Sequence, residues 1–355
     1  MNVRVGYAVL VGAALLMALG AGCTTAGTSS TPTPTPTVSG SFAPDTLWVQ
    51  DATSRTVRSY KGASAANGGL VATAILPTSD TANPDVVYDP LTDTLWYPNQ
   101  TVPNATNNTI DIWTMATTRN NTLPTFVVAS ASTNNLEGAA VYDPVHHLLV
   151  VAHNTSNTVD IYANAPAMIA SSVPAGFVTL NITDATAPGT PRPQEMLYDG
   201  VRDILYVADN GTVVAKFPGF GAAAAALSGG TTIALGQSSA ISGLGLGNGT
   251  GLAYNTALDI LFVTEVSPAQ INIMKNASTF NGSTTHSQTL TGFTQPKGLA
   301  YDVTRDILYV YDGGVFVFPN ATTASGNQSV WPNRRVIFDV ATPLSGFGIT
   351  VDTTR

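Results

Sequence analysis

The chain has 355 residues, 44% of them apolar and 10% charged, against about 25% charged in a typical soluble protein, so its polarity rests on Thr, Ser and Asn and it is not intrinsically disordered. Fourteen basic residues, four of them Lys, face 22 acidic ones; the net charge of −8 disfavours a phosphate-binding surface and argues against a nucleic-acid partner. A single cysteine excludes intramolecular disulfides and structural sites built from several thiolates.

Residues 1–4 carry one positive charge, residues 5–19 are apolar and small, and Gly20-Ala21-Gly22-Cys23 follows. The run is too short for a comfortable spanning helix, and this order predicts an export signal over residues 1–22. The lone Cys directly after small residues resembles the lipobox of bacterial lipoproteins, although Gly20 stands where that family usually has Leu and Leu19 lies one residue earlier. The resemblance implies that Cys23 is acylated after cleavage and holds an exported protein at the cell envelope, on its periplasmic or extracellular face, through lipid alone. The alternative is a soluble secreted protein with an incidental Cys. Residues 23–43 contain Thr31-Pro32-Thr33-Pro34-Thr35-Pro36-Thr37, an alternation that favours extended, solvated polyproline II and predicts a spacer.

From residue 44 onward a phrase recurs. It runs Val87-Tyr88-Asp89-Pro90 to Leu95-Trp96, Val141-Tyr142-Asp143-Pro144 to Leu149-Val150, and Leu197-Tyr198-Asp199-Gly200 to Leu205-Tyr206-Val207. It returns as Ala253-Tyr254-Asn255 to Leu261-Phe262-Val263 and Ala300-Tyr301-Asp302 to Leu308-Tyr309-Val310. Its tyrosines are 54, 56, 56 and 47 residues apart, a propeller-sized period. Each phrase reads as a hairpin: a short apolar strand, an Asp or Asn that closes the turn, then a β-branched and aromatic strand. Two more strands are expected after each hairpin, as at 109–113 and 125–128 or at 158–162 and 177–180, which makes four-stranded blades. The C-terminal Gly348-Ile349-Thr350-Val351-Asp352 supplies the first half of a phrase whose second half is Asp45-Thr46-Leu47-Trp48-Val49. The fold class predicted for 44–355 is therefore an all-β, six-bladed β-propeller closed by a blade shared between the two termini.

Gly298-Leu299-Ala300-Tyr301-Asp302 followed by Asp306-Ile307-Leu308-Tyr309-Val310 resembles the repeats of NHL and YVTN-type β-propellers. That superfamily includes scaffolds, ligand-binding proteins, gluconolactonase-like lactonases and peptidylglycine lyases, so the resemblance implies a fold far more strongly than an activity. Propellers usually bind ligands at the channel mouth, where the chain enters each inner strand. The entering positions are Asp85, Glu137, Glu195 and Lys297. Gluconolactonase-like enzymes hold a divalent cation there, and Asp85, Glu137 and Glu195 are the candidates for it; the Asn that family usually has before Gly-Leu is missing, with Lys297 in its place. A second ring falls four residues after each blade's Leu: Asp51, Asn99, His153, Asp209, Glu265 and Asp312. Its carboxylates Asp51, Asp209, Glu265 and Asp312 are candidates for calcium, with turn formation the competing reading.

His146 and His147 fall on the face opposite His153, so no local metal cluster forms. No Gly-x-Ser-x-Gly elbow, phosphate loop or His-Glu-x-x-His helix occurs, and the glycine-rich stretch 243–249 reads as a mouth loop. Twelve Asn-x-Ser/Thr sequons are present, several at turns that themselves favour Asn. The functional expectation is an envelope lipoprotein that binds a small molecule or an envelope protein at the mouth without chemistry. The alternatives are a calcium-dependent lactonase-like hydrolase and a structural or redox-associated envelope module.

Overall fold

The computed structural model describes residues 45–66, 68–78, 85–99, 109–129, 136–153, 156–184, 192–209, 211–247, 250–283, 288–323, 328–329, 334–338 and 348–352, with backbone alone at 136–138, 328–329 and 334–338. Phe42–Arg355 forms one compact unit. The expected export signal, Cys23 and the spacer lie outside the described residues. No helix among the described residues is long and apolar enough to cross a membrane.

Six antiparallel sheets form a propeller. Their inner strands are Val87–Asp89, Leu136–Asp143, Glu195–Asp199, Leu252–Asn255, Leu299–Asp302 and Ile349–Asp352, in blades 2 to 6 and then blade 1. The last pairs with Thr46–Asp51, Val351 opposite Leu47 and Ile349 opposite Val49, so the chain's end completes the blade its beginning started.

The phrase seen in the sequence welds the blades. Second strands such as Thr94–Asn99 and Ile260–Glu265 are buried along their whole length, because a neighbouring blade covers each face. In four blades the aromatic of the second strand meets the inner-strand tyrosine of the next blade: Trp48 on Tyr88 at 5.6 Å, Trp96 on Tyr142 at 5.0 Å, Tyr206 on Tyr254 at 5.4 Å and Phe262 on Tyr301 at 5.3 Å. Such pairs contribute roughly 0.5–1.5 kcal/mol each beyond the area they bury.

The hydroxyls of Tyr88, Tyr254 and Tyr301 explain the Asp five residues later, whereas Tyr142 meets His147 instead. In blade 5, Tyr254 donates to Asp259 Oδ1 (2.6 Å), and the Ser278 N–H and Oγ donate to its two oxygens (2.9 and 2.7 Å). Tyr88, Asp93 and Thr117 repeat the knot in blade 2, as do Tyr301, Asp306 and Thr322 in blade 6. Each Ser or Thr follows a left-handed residue and a buried Ala, as in Asn276-Ala277-Ser278 and Asn320-Ala321-Thr322. Asn tolerates that conformation, so these two sequons have a structural origin.

The expected four-strand blade is exceeded. Blades 3 to 6 each gain a fifth, parallel strand on the outer edge. The segment between the third and fourth strands of the following blade supplies it: Thr231–Gly236 lies on Gly176–Asn181, and Gly68–Leu70 of blade 1 lies on Arg334–Phe338 of blade 6. The approach is close at Gly176, where an added Cβ would stand 2.5 Å from the Thr231 carbonyl oxygen. Blade 2 gives blade 1 a shortened version, with the Asn121 N–H bonding Ile75 O at 2.6 Å and Asn120 Oδ1 accepting the Ile75 N–H at 3.1 Å. The exchange covers edges that would otherwise template aggregation.

Candidate ligand site in the central channel

Inner-strand side chains are directed sideways. Val87 packs with Leu149 and Val151 of blade 3, while Tyr88 packs with Trp48 of blade 1. Each inner strand pairs only with the second strand of its own blade, so its free edge, a row of main-chain N–H and C=O groups, faces the axis. A cavity of about 410 Å³ results, lined from Asp85 and Glu195 at one end to Pro90, Leu91 and Pro144 at the other. That volume lies within the range of small-molecule sites.

Two of the four predicted mouth residues meet there. Asp85 precedes the inner strand of blade 2 and Glu195 begins that of blade 4, yet their carboxyl groups are hydrogen-bonded to each other across blade 3. The Val86 N–H donates to Asp85 Oδ1 at 2.8 Å, and the Ala140 N–H of blade 3 donates to the same carboxyl group. Burial pushes Asp85 up to about 7 against the pull of these bonds. Burial, and then the charge and hydrogen bond of Asp85, hold Glu195 well above the usual carboxylate range. The pair thus keeps one proton near neutrality, with Glu195 the donor and Asp85 the acceptor.

Glu137 lies in the inner strand Leu136–Asp143 of blade 3, with its side chain outside the described residues. Lys297 is half-buried at the start of blade 6 and is absent from the described lining of the cavity. Burial lowers its pKa against the opposing charge of Asp312.

The second ring does not converge on a common ion. Asp51 accepts from the Thr53 N–H (3.2 Å) and lies 3.5 Å from Arg58, and Asn99 donates to Asp111 at 3.1 Å. His153 Nε2 meets Asp160 Oδ1 at 2.6 Å, both side chains buried. Asp209 accepts from the N–H groups of Gly211 and Val213 at 2.9 and 3.2 Å. Glu265 accepts from the Gly245 N–H at 2.8 Å and from Gln270 at 2.5 Å, and Asp312 accepts from the N–H groups of Thr294 and Gln295, each at 2.8 Å. Each residue closes a loop or bonds a third-strand side chain of its own blade. Among the described residues no three His, Cys, Asp or Glu side chains are grouped to hold a metal. Backbone N–H groups take up the carboxylates of Asp51, Asp209, Glu265 and Asp312, the turn-forming role weighed beside calcium for these residues.

Sequence reasoning missed Lys216, a third-strand residue of blade 4 that is 2% exposed. Its ammonium donates to the carbonyls of Ala277 (3.0 Å), Ser278 (3.1 Å) and Phe280 in blade 5. A lone Lys in an apolar strand was the available sign.

No family model and no curated protein matches the chain. Solved structures do, 865 chains in all. A chain in the crystal structure of a nidogen/laminin complex is similar over 88% of this chain and 99% of its own, with a TM-score of 0.52 and 12% identity. So low an identity, shared so widely, carries the six-bladed fold and no activity.

Proposed function

We propose that the protein is an exported, lipid-anchored propeller of the NHL/YVTN kind that binds a ligand in its central channel and does no chemistry on it. The observation that carries this reading is the cavity of about 410 Å³ with one ionisable pair, Asp85 and Glu195, at its mouth end. Lipid at Cys23 and the spacer that follows would present the channel away from a membrane surface. Native purification followed by mass spectrometry tests it: a small molecule should copurify and be lost when Thr350, a half-buried residue of the channel lining, is replaced by Trp. Recovery of a ligand indifferent to that substitution would count against the channel.

The contact between Asp85 and Glu195 also favours a second reading, a calcium-assisted lactonase-like hydrolase with Glu137 as a third ligand. Metal-dependent turnover on a panel of lactones, abolished by Glu195→Gln, would establish it in place of the first.

A further inference from the structure

We infer that the channel takes a slender aliphatic amine, its ammonium held by Asp85 and Glu195 and its hydrocarbon chain lying along the inner strands. This rests on the channel-binding reading and names the ligand class for it.

Three features of the cavity point the same way. Its described lining contains acids, Asp85 and Glu195 at one end and Asp89 at the other, and no Lys, Arg or His. Asp89 is already engaged in its own turn, accepting from the Leu91 N–H at 3.0 Å and from Thr92 Oγ1 at 2.6 Å. The pair at the mouth end is different: among the described residues no cationic side chain forms an ion pair with Asp85 or Glu195, and a shared proton takes the place of a counter-ion. Two half-buried carboxyl groups with no basic partner among the described residues are a poor site for an anion and a costly one for a neutral apolar group. An ammonium satisfies both, because it donates up to three hydrogen bonds and replaces the shared proton with a full positive charge.

The wall between the two ends sets the shape. Leu252, Leu299, Ile349 and Val351 line it together with the free strand edges. Because their side chains pack sideways between blades, the bore stays narrow, and it offers apolar flanks alternating with main-chain carbonyl and N–H groups. An unbranched chain fits such a bore, and further amine groups along it would find carbonyl acceptors.

The test is calorimetric titration of the full chain at pH 8 with four probes: n-hexylammonium, n-hexanol, hexanoate and calcium ion. Hexylammonium should bind at least tenfold more tightly than hexanol or hexanoate. Glu195→Gln should reduce that preference at least tenfold while hexanol affinity stays within twofold. Release of protons on amine binding, read from buffers of different ionisation enthalpy, should accompany the wild-type titration and vanish in the variant. Should Glu195→Gln fail to fold, probe selectivity and proton release in the wild type decide alone. Equal binding of the amine and hexanol, both blocked by Thr350→Trp, would overturn the amine inference and leave channel binding standing. Calcium binding that excludes the amine would overturn it in favour of the hydrolase reading. Binding of no probe would overturn both the amine and the channel.

Discussion

Two carboxyl groups that share a proton make stability depend on pH in a direction opposite to the usual one for acids. Asp85 titrates at about 7 in the fold against a reference of 3.8. Between those values the folded chain holds a proton that the unfolded chain has released, so stability falls as pH rises through that window. Glu195, pushed the same way, adds to the slope. Melting temperatures of the wild type and Glu195→Gln should diverge from pH 5 to pH 8, the variant gaining; a constant gap would mean that the acids are ordinarily solvated. Asp259 acts in the other direction. Although burial alone would raise its pKa, hydrogen bonds from Tyr254 and Ser278 and the charge of Arg202 hold it below 3.8. Its contribution is present above that value and lost as pH falls further, so the two effects occupy separate windows. A third residue-scale effect is conformational. Met115 sits at φ 54° and is 57% exposed, where blades 3, 5 and 6 have Asn164, Asn276 and Asn320 at equivalent turns. Left-handed backbone costs a residue other than Gly, Asn or Asp about 1 kcal/mol or more. Met115→Asn should stabilise the protein by about that amount in chemical denaturation.

Elements are held to their neighbours by contacts that reach beyond the blade. Lys216 links the third strand of blade 4 to the turn after the third strand of blade 5, where Ala277, Ser278 and Phe280 present carbonyls that would otherwise be buried without donors. Lys216→Met fills similar space and removes all three bonds, at a cost of roughly 2–4 kcal/mol, since each orphaned buried acceptor carries its desolvation penalty. Urea unfolding should show a lower midpoint, and hydrogen exchange should accelerate first around residues 276–280; protection unchanged there would mean that water replaces the lysine without loss. The exchanged fifth strands act alongside such clamps. They pass from blade to blade in one direction, so the outer edge of each of blades 3 to 6 is covered by the chain of the blade that follows.

For the whole ring the decisive joint is the pairing of Ile349–Asp352 with Thr46–Asp51. Removing residues 346–355 would strip the inner strand from blade 1, expose the edge of Leu47–Val49 and uncover the flank of blade 6, where Ile349 packs in one cluster with Leu47, Tyr309 and Val317. Ile349 alone contributes roughly 1.5–3 kcal/mol by burial, a substantial part of a net stability of about 5–15 kcal/mol. The truncated chain should aggregate or melt well below the parent in a thermal scan, whereas equal stability would show that the shared blade does not hold the ring.

What the sequence by itself determined is the blade and its repetition. The Tyr-Asp phrase, the alternating second strand and the split phrase at the two ends are encoded in runs of about a dozen residues, because strand alternation and turn chemistry are local. The mouth position of Asp85 and Glu195 followed from the same register. Their union did not, since blades 2 and 4 are not neighbours and only closure of the ring brings their carboxyl groups over blade 3. The second ring of Asp51, Asp209, Glu265 and Asp312 looked convergent in one dimension, yet the N–H groups of each loop claimed those side chains first. The fifth strands and the Lys216 clamp were invisible for a related reason. They pair segments of adjacent blades whose sequences carry no shared pattern, and it is the packing of one blade against the next, under the demand that every buried polar group be bonded, that selects them.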